Sequence, residues 1–185
     1  MSGLGLFCGA FDPPHRGHVA LVRAAKEALG LERVVVVVVA DPGHKRVDTP
    51  AAVRLALARA AFPDDEVVLD EHARTIDMLR AHPEWHGATF LMGADELSGF
   101  LRWKEPFEVA KLVKLGVAHR PSSRHSLAGP VDATFFELDV PAASTDLRAR
   151  IEAGEDVSDA VPPAVWELIT RDGLYGRRPS YTQSA

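Results

Sequence analysis

The sequence is poorest in cysteine. Cys8 is the only one among 185 residues, which excludes an intrachain disulfide and a cysteine-cluster zinc site. Long apolar runs are missing too: the longest, residues 34–40, is strand-sized and far short of the roughly 18 to 20 residues that cross a bilayer. The opening Met1-Ser2-Gly3-Leu4-Gly5 lacks the basic patch and apolar stretch of a secretory signal, so the cytoplasm is the expected compartment. Positive charge is not in excess, since 21 Lys+Arg against 26 Asp+Glu leave a formal net charge of -5. Generic binding to nucleic acid or to an acidic membrane is thereby disfavoured, and any anionic ligand needs a local basic site. What is present is ordinary globular composition, 46% hydrophobic and 25% charged, in a length suited to one core.

Residues 4–8 read as a short buried strand, followed by the breaker-rich stretch 9–17. Val19, Val22, Ala25 and Leu29 then recur at helical spacing, closed by Gly30. The valine run 34–39 is continuous rather than alternating, as in a parallel strand covered on both faces. After a loop over 41–49, Thr49 supplies an N-cap and Pro50 a first helical position for a helix over 51–61. Strands over 67–69, 89–92, 115–119 and 133–138 alternate with helices over 75–81 and 107–114. Two closing helices over 145–153 and 163–171 follow, the second ended by Gly173. This alternation predicts a single α/β domain over 1–185, a doubly wound, Rossmann-like parallel sheet with helices on both faces, and a disordered tail over 176–185. Ligands of such a sheet sit at the carboxyl ends of its strands, so the loops 9–17, 41–49, 93–103 and 120–130 are expected to converge on one cleft.

The segment Gly9-Ala10-Phe11-Asp12-Pro13-Pro14-His15-Arg16-Gly17-His18 joins the first strand to the first helix. Small residues let backbone N–H groups approach a ligand, and His15 and His18, three apart at a helix start, can point together where the dipole favours an anion. That pattern describes a phosphate cradle. The competing readings are a turn shaped by Pro13 and Pro14 with merely exposed histidines, and a zinc site using His15, His18 and His44. The zinc reading lacks a glutamate as general base, so no protein metal site is expected.

The glycine-containing turn, Phe-Asp-Pro and His-x-Gly-His resemble the signature of the nucleotidyltransferase superfamily of adenylyl and cytidylyl transferases. Ala142-Ala143-Ser144-Thr145-Asp146-Leu147-Arg148 is similar to its second motif, Ile-Ser-Ser-Thr-x-Ile-Arg, which holds a triphosphate. A cation in the first turn of a helix is unfavourable unless an anion shares the site, which suits Arg148; the alternative is a surface pair with Asp146 or Glu152. Within the superfamily the chain most resembles bacterial nicotinate mononucleotide adenylyltransferases. Pro42-Gly43-His44-Lys45, Thr75-Ile76-Asp77-Met78-Leu79, Gly93-Ala94-Asp95 with Trp103, and the closing Leu174-Tyr175 follow that family's order.

The resemblance implies transfer of AMP from ATP to nicotinate mononucleotide in NAD biosynthesis. His15, His18, Lys45 and Arg148 would be catalytic along the phosphates. Gly9, Ala10, Phe11, Asp95, Ser144 and Thr145 would bind ATP, while Arg74, Thr75 and Trp103 would bind the acceptor. Mg2+ would be held by phosphate oxygens and water. The implied partners are small molecules, ATP and a pyridine mononucleotide, with no nucleic acid, no membrane and room for a homo-oligomer. Cys8, Ala10, Gly43 and Ala143 depart from the family pattern, and the loop before Thr75 is shortened, with Arg74 where the family has tyrosine. Competing readings are adenylylation of nicotinamide mononucleotide, less so of phosphopantetheine, and a nucleotide-binding protein that has lost catalysis.

Overall fold

The computed structural model describes residues 3–43, 47–120, 131–139 and 144–177. Six strands form one parallel sheet: β1 (Leu4–Gly9), β2 (Arg33–Val39), β3 (Glu66–Asp70), β4 (Thr89–Gly93), β5 (Lys114–His119) and β6 (Ala133–Glu137), in the order β3-β2-β1-β4-β5-β6. Strand order reverses between β1 and β4, and a crevice opens at the carboxyl ends of these two strands. The helices are α1 (Arg16–Leu29), α2 (Ala51–Ala61), α3 (Thr75–Ala81), α4 (Ala94–Ser98), α5 (Pro106–Leu112), α6 (Ser144–Glu152) and α7 (Pro163–Asp172). Among the described residues no helix is long and apolar enough to cross a membrane.

The valine run of β2 is buried on both faces because the pleat divides it. Val34, Val36 and Val38 join Phe7 and the apolar faces of α1, α2, α6 and α7, whereas Val35 and Val37 join Leu6 and the apolar residues of α3 and α5. Each fully buried valine contributes on the order of 1.5 kcal/mol or more, so this strand anchors two cores at once. Gly30 ends α1 in the left-handed conformation (φ 63°, ψ 39°), and Gly173 ends α7 in the same way.

Several boundaries differ from the sequence expectation. Pro50, not Thr49, is the cap residue of α2, and no side chain caps that helix. Lys114 belongs to β5, since α5 stops at Leu112. Within the expected loop 93–103 lie α4 and a 3-10 turn at Phe100–Arg102, both too short to carry a periodic signal. In the expected disordered tail, Gly176 completes a 3-10 turn, while Arg177 donates to the Glu155 carbonyl and lies 4.4 Å over the Trp166 ring. Residues 178–185 lie outside the described residues.

One charged side chain sits at the heart of the sheet's carboxyl end. Arg54, on the inner face of α2, is 1% exposed. Its guanidinium donates to the carbonyls of Thr49 (3.0 Å), Ala10 (2.9 Å), Val39 (2.8 Å) and Ala40 (2.6 Å). Four acceptors offset its desolvation and tie the ends of β1 and β2 to the start of α2. Arg54→Met keeps the stem but strands four carbonyls. It is expected to lower unfolding free energy by at least about 3 kcal/mol, read as a fall in urea midpoint at constant m-value. An unchanged midpoint would refute this role.

Candidate active site

A cleft of about 680 Å³ opens at the carboxyl ends of β1, β3 and β4. Gly9 and Ala10 form part of its wall, together with Arg74 and Thr75 at the start of α3, Asp95 on α4 and Trp103. Six expected ligand-binding residues from four separate chain segments therefore meet in one place. Trp103 is half-buried, held edge-on by Phe90 at 5.8 Å and tilted against Phe100 at 5.1 Å, which fixes its plane while it lines the cleft. Arg74 is exposed; its hydrogen bond among the described residues is to the Ala73 carbonyl at 3.3 Å.

Two departures from the family pattern acquire a physical reason here. Gly43 has φ 48°, which a proline, fixed near -65°, cannot adopt. A Cβ at Gly43 would also stand 3.1 Å from the Arg74 guanidinium, so this glycine and this arginine fit each other. Cys8 packs its thiol 3.9 Å from the Met78 sulfur, and burial pushes the thiol far above its usual range, leaving it an inert small apolar group. Lys45 and His44, expected at this cleft, lie outside the described residues, as does Ala143.

The histidines sit further along the same loop and do not line the cleft. His15 is the N-cap of α1, and the two residues cap reciprocally. The His18 N–H donates to His15 Nδ1 at 3.3 Å, and the His15 N–H donates to His18 Nδ1 at 3.2 Å. Both Nδ1 atoms are thus acceptors, so each neutral ring carries its proton on Nε2 and is a hydrogen-bond donor there. The rings stack at 3.6 Å between centroids. His15 is 6% exposed, and burial lowers its pKa to about 4. At neutral pH His15 is therefore a neutral hydrogen-bond donor rather than a cation.

Less of the α1 amino terminus is available to a ligand than the cradle reading expects. The Arg16 N–H donates to the Ala160 carbonyl at 2.9 Å, and the His18 N–H is taken by His15. Phe11 points into the core. With φ 51° and 2% exposure, its ring turns inward against Phe7, Phe62 and His18. Gly9 makes room for it, since a Cβ there would meet that ring at 3.1 Å. A contact of Phe11 with nucleotide is therefore restricted to its backbone.

The second motif docks onto this loop. α6 starts at Ser144, one residue earlier than expected, so Arg148 is its fifth residue rather than a first-turn residue. Its side chain reaches back toward the helix amino terminus, donating to the Asp12 carbonyl at 2.6 Å and the Thr145 hydroxyl at 3.4 Å, with Asp12 Oδ2 at 3.9 Å. The pairings with Asp146 or Glu152 that a surface role requires are absent from the ion pairs of the described residues. The Ser144 hydroxyl donates to the Pro13 carbonyl at 3.0 Å, so its hydrogen is committed to the loop.

Sequence reasoning missed what lies beneath. Asp12, 2% exposed, accepts the Tyr175 hydroxyl on Oδ1 at 2.8 Å. Burial and the adjacent Asp12 carboxylate push the Tyr175 phenol far above its usual range, so it remains a donor. Arg54 likewise escaped notice, because its partners are backbone carbonyls without a sequence signature. Among the described residues no group of three His, Cys, Asp or Glu side chains is placed to hold a metal.

His15 gives the site a pH dependence. Its folded pKa, about 4, lies below the ordinary 6.5, so between these values the unfolded chain binds the extra proton. The stabilisation is complete above pH about 6.5 and is lost as pH falls toward 4, amounting to roughly 3 kcal/mol. His15→Asn keeps a cap acceptor but cannot titrate. Urea unfolding from pH 7 to 4.5 should show this component of the acid sensitivity in the unmodified protein and not in the variant. A His15 ring resonance titrating near 6.5 would overturn the assignment.

The cytidylyltransferase-like family matches residues 6–167. Proteins named probable nicotinate-nucleotide adenylyltransferase are similar over nearly the whole chain. That of Exiguobacterium sibiricum is 34% identical, covering 93% of this chain and 98% of the relative. That of Thermomicrobium roseum is also 34% identical, covering 95% and 92%. In fold, the chain resembles the nicotinic acid mononucleotide adenylyltransferase of Plasmodium falciparum complexed with NaAD, with a TM-score of 0.79 at 16% identity over 96% of this chain and 99% of that one. With the parallel sheet, the His-x-Gly-His cap and the second motif docked on the same loop, these relationships establish that the chain belongs to the nicotinate-nucleotide adenylyltransferase family of the cytidylyltransferase-like superfamily.

Proposed function

We propose that this protein transfers AMP from ATP to nicotinate mononucleotide in the cytoplasm, releasing pyrophosphate and forming the dinucleotide precursor of NAD. The observation that carries this reading is the arrangement of a single loop. Its first residues, Gly9 and Ala10, wall a cleft that also holds Thr75, Asp95 and Trp103, while its far end presents two fixed histidine donors and supports Arg148. An acceptor and a triphosphate could thus meet across one loop.

The reaction needs an acceptor phosphate oxygen to attack the α-phosphorus of ATP while the bond to pyrophosphate breaks. Positioning and charge neutralisation suffice, and no enzyme nucleophile is required. The Nε2–H groups of His15 and His18 would donate to phosphate oxygens as charge moves toward the leaving pyrophosphate. Arg148, already held by Asp12 and Thr145, would add a cation with its geometry fixed. Trp103 would stack on the pyridine ring and Asp95 would meet the adenosine ribose. The site's donors suit anions rather than a hard cation, which fits Mg2+ that is carried by the triphosphate and water and supplies charge neutralisation there.

Pyrophosphate release with ATP, Mg2+ and each acceptor tests this reading. The acid form is expected to be preferred over nicotinamide mononucleotide by about tenfold to hundredfold in kcat/KM, the worth of one charge-assisted contact. Equal or better use of the amide form would promote the sister activity. For the phosphate machinery, His18→Asn keeps an oxygen where Nδ1 accepts the cap bond and removes Nε2. It should fold normally and lose at least about a hundredfold in kcat. Arg148→Ala should raise the KM for ATP and lower kcat. Unchanged ATP affinity by calorimetry together with unchanged turnover would remove Arg148 from the site.

A further inference from the structure

Beside Arg74 and Thr75, the cleft wall carries a histidine whose orientation is fixed. Asp70 closes β3 and is 3% exposed. Its Oδ2 accepts the His72 backbone N–H at 3.0 Å, and its Oδ1 meets His72 Nδ1 at 2.8 Å. His72 and Asp70 both line the cleft that holds Trp103. With a carboxylate as partner, Nδ1 carries a proton, so the chemistry the ring offers elsewhere is decided at Nε2. In the neutral ring Nε2 is an acceptor; in the imidazolium it is a charged donor.

The two acceptor bases differ in the same respect. Nicotinate presents a carboxylate with acceptor oxygens only, whereas nicotinamide also presents two N–H donors. We propose that the protonation state of His72, oriented by Asp70, selects the acceptor base. The imidazolium receives the carboxylate of the acid form, and the neutral ring receives an N–H of the amide form. This inference rests on the adenylyl-transfer reading and adds to it the group that discriminates the acceptor, together with a pH dependence of that discrimination.

The surroundings favour the charged ring. The hydrogen bond from Asp70 raises the His72 pKa above its ordinary 6.5, against a smaller opposing effect of desolvation, and the charges of Asp70, Asp77 and Glu71 act in the same direction as the bond. Asp77, on α3, is itself held by Lys104 at 2.9 Å. From the end of α3, His82 Nε2 approaches Asp70 Oδ1 at 3.8 Å and its Nδ1 meets Glu84 at 2.9 Å, so His82 competes weakly for the same carboxylate. Arg74 is exposed on the same cleft wall, and its guanidinium offers donors and no acceptor, which separates it from a ring whose Nε2 can be either.

The experiment measures kcat/KM for nicotinate mononucleotide and nicotinamide mononucleotide from pH 6 to 9 with saturating ATP and Mg2+. It reports their ratio, in which ionisation of the shared ribose phosphate cancels. The His72 ring is titrated by NMR in the same protein. The acid-to-amide ratio should fall by at least about tenfold across the range, with its midpoint at the His72 pKa. His72→Gln, able to donate or accept, should make the ratio independent of pH, and Asp70→Asn should move the midpoint to lower pH. If the buried Asp70 variant does not fold, the His72→Gln profile decides alone. A ratio that keeps its pH profile in His72→Gln, or is flat in the unmodified protein, overturns the proposal and leaves adenylyl transfer standing. Failure of the unmodified protein to use either acceptor overturns adenylyl transfer, and this proposal with it.

Discussion

Most of the site depends on a buried guanidinium. The carbonyls at the carboxyl ends of parallel strands have no further ladder partner, and leaving them dry and unpaired is costly. Arg54 takes the last carbonyl of β2, its neighbour at Ala40, and the Ala10 carbonyl just after β1, while also holding Thr49 ahead of its own helix. Burial alone would pull its pKa down, and the nearby Asp12 charge works against that. The ends of β1 and β2 are thereby tied together, on one side of the point where strand order reverses. Ala10 is fixed, so Phe11 can turn its ring into the core with φ 51°, and the loop leaves the sheet at a defined angle.

The far end of that loop is fixed by a different economy of bonds. Residues 12–18 receive support from the carboxyl-terminal third of the chain: Tyr175 reaches Asp12, Ser144 reaches Pro13, Arg148 reaches the Asp12 carbonyl, and Ala160 accepts from Arg16. The closing Leu174-Tyr175, which as sequence is only a terminal dipeptide, is thus a brace for the first loop. It adopts the left-handed conformation at Tyr175 (φ 58°) to do so. Assembly of the loop consequently requires the last helices to be docked, and the site is completed only when both ends of the chain have met.

The fold was largely legible because its signals are repetitive. Unbroken valines in β2 mark a strand covered on both faces, and apolar residues three and four apart mark α1 and α7. The residues missed share a different property. Arg54 on a helix reads as a solvated charge, since nothing in the sequence announces four carbonyls waiting for it. The His15–His18 cap was invisible for a related reason: histidine is not among the residues favoured at N-caps, so a three-residue spacing suggested ligand contact and hid the local hydrogen bonds. Asp12 stood inside the motif, but its partner Tyr175 is 163 positions away. His72 follows β3 in a loop whose length departs from the family pattern, where motif comparison has no position to compare, and its partner Asp70 is the last residue of that strand.

These contacts also explain how a chain of net charge -5 can handle polyanions. A site crowded with fixed positive charge would repel itself when empty and would need burying at great cost. Here the histidines are positioned by mutual capping, and His15 is kept neutral by burial, so its proton is offered on Nε2 without a charge to desolvate. Arg148 is the cation of this group, and it leans on the Asp12 carbonyl with the Asp12 carboxylate at 3.9 Å. Asp12 Oδ2 is buried and, among the described residues, has no hydrogen-bond partner, so the pair is held close without being fully satisfied. A phosphate arriving beside Arg148 therefore competes with a carbonyl and an incompletely engaged carboxylate rather than with a tight bidentate pair. Arg148 can turn its free hydrogen-bonding capacity toward the phosphate without a large opposing loss, from a side chain already held beside the loop.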